Sequence, residues 1–261
     1  MPLVRRKNII SDAAKNIRRR TEVFDLSLFV IADLHLSVSV NKPMDIFGGW
    51  DDYMNRIRTN WQAKVKDGDT VVLPGDFSWA TKLEDTLEDF RFLASLPGKK
   101  IMLKGNHDYW WSTITKTENF FKANGIERVK LLHNNFYPFG DRGICGTRGW
   151  INDNGEPADK KVLMREAVRL ELSISAAEKA GYKPLVFLHY PPVYLTGVNE
   201  EIMEVLHKHD IKECFYGHIH GKKGHACAVK GEYQGINYHL ISSDYLQFVP
   251  MDITEFVQSA E

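Results

Sequence analysis

Two hydrophobic rhythms alternate along the chain. Residues 26–32 (LSLFVIA) form a short apolar run rich in β-formers and predict a buried strand. Residues 50–66 then place Trp50, Tyr53, Met54, Ile57, Trp61 and Val65 three and four apart, the stripe of an amphipathic helix. The alternation repeats with a strand over 70–73 stopped by Pro74-Gly75, and a helix marked by Leu83, Leu87, Phe90 and Leu93 that ends at Pro97-Gly98. A strand over 100–103 and a helix closing at Asn124-Gly125 complete the first half. The second half is richer in short strands, predicted over 129–132, 136–139 and 143–146. A long helix over 159–181 follows, then a strand over 185–188, a helix over 200–209, a strand over 213–216, and closing strands over 238–241 and 247–249. Strands alternating with helices, with β-meanders late in the chain, predict one layered α/β (α+β) domain over residues 25–261.

Polar residues with ligand chemistry stand where these strands end. The first runs into Asp33-Leu34-His35, the second into Gly75-Asp76, the third into Gly105-Asn106-His107-Asp108. The strand over 185–188 runs into His189, and the strand over 213–216 into Gly217-His218-Ile219-His220. Ligands of open α/β sheets gather at the carboxyl ends of strands, so five strand ends deliver these groups to one edge. Asp-x-His and His-x-His put two side chains on the same side of an extended segment, where they can grip one metal cluster. Gly75, Gly105 and Gly217 stand where the backbone must turn tightly and approach closely. Each motif alone has a plain structural reading: a Gly-Asp turn, an Asn or Asp helix cap. Their conjunction in order, each at a strand end, is what makes a site. Nitrogen and oxygen donors without thiolate suit Mn, Fe, Zn, Ni or Co. Five of the ten histidines fall inside the motifs; His133, His207, His209, His225 and His239 fit no spacing and read as ordinary.

Composition and charge narrow the partners. The 261 residues carry 34 basic and 34 acidic side chains, which gives no general reason to bind nucleic acid. The local exception is a basic arm over 1–24, with seven basic residues between Arg5 and Arg20 against Asp12 alone; it reads as a solvated face, with anion contact as the sharper reading. Three widely spaced cysteines, Cys145, Cys214 and Cys227, read as reduced thiols in a cytoplasmic protein. No apolar run approaches the roughly 18 residues of a membrane span.

The ordered set Asp-x-His, Gly-Asp, Gly-Asn-His-Asp, His and Gly-His-x-His resembles the calcineurin-like metallophosphoesterase superfamily, from Asp33 to His220. The resemblance implies a four-layer αββα sandwich with two mixed sheets and a dinuclear metal site at the strand ends. It implies that Asp33, His35 and His220 bind the first metal, that Asp76 bridges both, and that Asn106, His189 and His218 bind the second. His107 is then the catalytic histidine, outside the metal shell. Two departures separate the chain from the protein serine/threonine phosphatase branch: Trp79 stands where that branch has an aspartate, and Leu36 follows the first histidine where it has glycine. The chain is thus closer to bacterial-type phosphohydrolases, with Asp108 as the available substitute for a carboxylate orienting His107.

Two divalent or trivalent ions, Mn foremost in vitro, would leave the site positive against Asp33 and Asp76 and attract an anion to a neutral protein. Metals roughly 3.5–4 Å apart can clamp an in-line displacement, with a bridging hydroxide as nucleophile. The expected partner is a small phosphorylated substrate, a mono- or diester. Arg148, after the strand over 143–146, is placed to fork onto phosphate oxygens. Tyr109, Trp110 and Trp111 read as core at a helix start, with a substrate wall as the other reading. The aperiodic segments 37–49 and 190–199 are the natural rims. A nuclease is the rival reading, supported by the basic arm alone. A non-catalytic scaffold on the same fold would have lost ligands, and here every one is present.

Overall fold

A strand buried on both faces must send alternate side chains into two different layers, and the central strands do so. In the computed structural model, which describes residues 26–150, 157–195 and 197–257, Leu185 and Phe187 of β7 (Lys183–Leu188) face one apolar cluster while Val186 and Leu188 face another. The cluster holding Leu185 and Phe187 also holds Leu28 and Val30 of β1 (Leu28–Val30), Val72 of β2 (Thr70–Pro74) and Ile101 of β3 (Lys99–Leu103). It is the seam between two sheets.

The first sheet has the order β13-β1-β2-β3-β4, where β4 is Val129–Leu131 and β13 is Met251–Asp252. Strands β1 to β4 are parallel, and β13 pairs antiparallel on the edge, Phe29 opposite Asp252. Helices α1 (Tyr53–Lys64), α2 (Leu87–Ser95) and α3 (Ile114–Ala123) cover its outer face through Ile57, Trp61, Phe90, Leu93 and Phe121. The second sheet has the order β11-β12-β10-β7-β6-β5. Its strands are β5 (Tyr137–Phe139), β6 (Arg142–Thr147), β7, β10 (Glu213–Tyr216), β11 (Gly231–Tyr233) and β12 (Ile236–Leu240). Its outer face is covered by α4 (Pro157–Lys179) and α5 (Glu200–Lys208) through Leu170, Ile174, Ile202 and Leu206. The layers are therefore helix, sheet, sheet, helix, and both sheets mix parallel with antiparallel pairs, as expected.

Three details differ from the sequence reading. The closing strand over 247–249 is a turn, with Gln247 and Phe248 at φ 54° and 62°. Its apolar character serves packing, because Phe248 is fully buried with its ring 5.0 Å from that of Trp50. The edge strand is β13, four residues later. The segment after His220 forms a short helix, α6 (Gly221–Cys227), with no buried residue to give it a periodic signature. The ribbon β8 (Val193–Tyr194) with β9 (Gly197–Val198) is too short to read from a pattern. The basic arm over 1–24 lies outside the described residues. No helix among the described residues is long and apolar enough to cross a membrane.

Candidate metal centre

The parallel strands of both sheets point their carboxyl ends at one edge, and the chain turns sharply there. Asp33, His35, Asp76 and His218 all have positive φ, at 61°, 45°, 50° and 70°. Such conformations are uncommon outside glycine and are held only where the surroundings over-determine them. Asp33 and His35 therefore converge through left-handed backbone and not, as the spacing alone predicts, through the alternation of an extended segment. A turning chain aims neighbouring side chains at a point, which a straight strand cannot do. Close approach at the glycines is as expected: a Cβ on Gly105 would lie 2.1 Å from Asp76 Oδ1, and one on Gly217 would lie 2.6 Å from Asp33 Oδ2.

Two trios of ligand atoms result, Asp33 with His35 and His220, and Asp76 with His189 and His218, each within 4.8 Å of one another. The trios adjoin. Asp76 Oδ2 is 3.7 Å from His35 Nε2 and 3.6 Å from His189 Nε2, so this carboxylate stands between them. Asn106 joins the second trio, with its Oδ1 2.6 Å from His189 Nε2 and 2.9 Å from His218 Nδ1. All seven residues named from the sequence as metal ligands thus come together.

The polar accounting fits a cation. Asp33 Oδ1 is buried with no hydrogen-bond partner, a state that costs roughly 1–3 kcal/mol unless something compensates it. Burial raises the pKa of Asp33 and of Asp76. Burial lowers His35, takes His189 down to about 3 and His218 to about 2, and their mutual proximity adds to the effect. These imidazoles are neutral at pH 7 and present lone pairs, the form a metal needs. His189 sets its tautomer by donating Nδ1–H to the Pro74 carbonyl at 3.0 Å, which leaves Nε2 for the site. Burial pulls His220 down, but its Asp244 hydrogen bond and the charges of Asp33, Asp244 and Asp76 outweigh it and raise the net value.

Asp244 is a site residue the sequence reading missed. Its Oδ1 lies 2.9 Å from His220 Nδ1 and its Oδ2 3.2 Å from His225 Nε2, so it orients one ligand and engages a histidine taken as ordinary. The signal was available: Asp244 follows the strand over 238–241, at the same kind of strand end as the other motifs.

Four further expectations have definite places. His107 sits beside the trios, its backbone N–H donating to Asp76 Oδ1 at 2.8 Å and its ring 4.5 Å from Trp79. Trp79 also stacks on His35 at 4.8 Å, so an indole fills the position where a carboxylate was missing and holds both rings by contact. Asp108 is not the substitute. Its two oxygens accept from the backbone N–H groups of Asp76, Phe77, Ser78 and Gly105 and from the Trp110 indole, which leaves nothing for His107. Arg148 is held by Glu166 at 3.5 Å and lies over the Trp150 ring at 4.7 Å. Trp110 is core, as read, whereas Tyr109 is exposed.

Residues 26–222 match the calcineurin-like phosphoesterase family. A comparison with curated proteins finds no match. Among solved structures, a protein of unknown function from Aquifex aeolicus is similar at 18% identity and a TM-score of 0.51, over 89% of this chain and 98% of that one. A phosphopantetheinyl hydrolase from Mycobacterium tuberculosis is similar at 12% identity and a TM-score of 0.51, over 90% and 98%. At such identities the likeness concerns the fold.

Proposed function

We propose, for a chain that belongs to the calcineurin-like phosphoesterase family and is a metal-dependent phosphoesterase, that it hydrolyses a small phosphomonoester or phosphodiester at a two-metal centre. Asp33, His35 and His220 would hold one cation, Asn106, His189 and His218 the other, with Asp76 shared. The observation that carries this reading is the position of Asp76 Oδ2, within 3.7 Å of a histidine nitrogen in each trio. When bound, the cations supply Lewis acidity toward the phosphoryl oxygens and acidify water; oxygen and nitrogen donors suit Mn, Fe, Zn, Ni or Co.

The chain's own residues do the rest. Asp33 and Asp76 would offset part of the metal charge and leave the site attractive to an anion. Asp244 and the Pro74 carbonyl fix the ring orientations of His220 and His189. His107 stands beside Asp76 with its ring outside both trios, where a ring nitrogen can give a proton to the departing oxygen. Burial lowers its pKa while Asp76 pulls it back up, which makes its protonated form a stronger acid than free imidazole. A phosphoryl anion at the site favours that protonated form.

The test is a panel with Mn²⁺ added: an aryl phosphate, a bis-aryl phosphodiester, cyclic nucleotides and short single-stranded DNA. Hydrolysis of an ester that chelation abolishes and Asp76→Asn lowers by orders of magnitude supports the reading. Cleavage of the DNA alone would move it to a nuclease, and hydrolysis indifferent to chelation would overturn it.

A further inference from the structure

Where β3 and β6 end lies a hollow of about 350 Å³ whose wall is cationic. Lys104, Arg148, Arg165 and Arg169 line it, and Glu166 is the sole acid among the lining residues. Four positive side chains against one carboxylate leave an excess of three. Glu166 is fully buried and acts as a hub: its Oε1 is 2.7 Å from Arg169 Nη1, 3.5 Å from Arg148 Nη2 and 3.7 Å from Arg165 Nε, while its Oε2 accepts from Thr147 at 2.6 Å. One buried carboxylate thus gathers three guanidinium groups without neutralising them. Arg148 Nε is buried and makes no hydrogen bond. Positive side chains gathered in one hollow repel one another, a cost that a bound anion would offset.

Two of the hollow's lining residues neighbour the centre along the chain or across the sheet. Lys104 is two residues before Asn106. Thr147 pairs with Leu188 in the β6–β7 ladder, which sets Arg148 beside His189, and the Tyr190 N–H donates to the Arg148 carbonyl at 2.8 Å.

We propose that this arginine-lined hollow binds a second anionic group of the substrate, so that the substrate is a phosphoester carrying another phosphate or diphosphate beyond the scissile one. The proposal rests on the phosphoesterase reading for what the metal centre does, and on the hollow alone for where the second charge goes. Planar guanidinium groups fanned about one point match phosphate geometry better than a point charge does. A simple aryl phosphate leaves the hollow unfilled and is a poor substrate.

The experiment uses non-hydrolysable probes: alkane α,ω-diphosphonates of one to six carbons and the monophosphonates of matching length, titrated by calorimetry into Mn²⁺-loaded and chelator-treated protein. In the loaded protein a diphosphonate of one length should bind about tenfold tighter than its monophosphonate partner. Arg165→Gln with Arg169→Gln should erase that gain and leave monophosphonate affinity within about twofold. Arg165→Gln alone, at a side chain 54% exposed, keeps the test available should the double variant unfold, and should lose part of the gain. No gain at any length, or a gain that survives the variants, overturns the second-anion site. Monophosphonate affinity that ignores metal would instead sink the metal-centre reading. The hollow is then judged by whether diphosphonate binding to chelator-treated protein falls in the double variant.

Discussion

His107 shows how much one side chain's surroundings decide. Its neighbours include an indole, an imidazole at 5.7 Å and the Asp76 carboxylate on its backbone N–H, and among the described residues no carboxylate is hydrogen-bonded to its ring. A nitrophenolate departs without a proton, whereas an alkoxide does not, and general acid catalysis contributes about 10²–10⁴-fold. His107→Asn should therefore keep both metals and lose far more rate on an alkyl ester than on a nitrophenyl ester. Equal loss on both would mean that His107 only positions phosphate. A second residue-scale prediction needs no metal. Lys100 is fully buried beneath Trp61, with its ammonium on the Leu96 carbonyl, and burial lowers its pKa from 10.5 to about 8. Between those values the unfolded chain binds more protons than the folded one, so this group adds stability as pH rises. Relative to Lys100→Met, the unchanged protein should gain up to about 3 kcal/mol from pH 8 to 10.5, read from urea unfolding at each pH. A pH-independent difference would contradict it.

At the scale of elements, the loops after β2 and β3 behave as one unit. Asp108 ties them together by accepting from Asp76 N at 2.9 Å, Gly105 N at 2.8 Å and Phe77 N at 3.0 Å. Asp108→Asn turns an amide NH₂ toward groups that all donate. It should cost about 2–4 kcal/mol and loosen metal binding, measured by urea unfolding with and without Mn²⁺. A change under about 0.5 kcal/mol would show that the loops do not depend on it. The same loops mark the limit of what the sequence discloses. Which residues meet was legible, because strand ends recur as Asp33, Asp76, Asn106, His189 and His218. How they meet was not. Period-two reasoning assumes extended backbone, and the left-handed turns at Asp33 and His35 are tertiary outcomes of packing against Gly217 and Trp79. Asp108 looked like a partner for His107 because the two are adjacent in sequence, but adjacent side chains on a turn point apart.

At the scale of the molecule, layering was legible because the strand runs are apolar on both faces and the helices on one. The short helix α6 and the turn over 247–249 were not, since neither carries a period. Charge behaves likewise. A chain with no net charge conceals both a cluster of seven candidate ligands and a cationic hollow, and only the fold brings Lys104, Arg148, Arg165 and Arg169 to one wall.

The central claim is that the two trios are one centre sharing Asp76. Calorimetric titration of Mn²⁺ into chelator-stripped protein tests it most directly. The geometry predicts about two ions per chain, with Asp76→Asn weakening both. One ion or none per chain, or two ions whose affinities Asp76→Asn leaves unchanged, would contradict it.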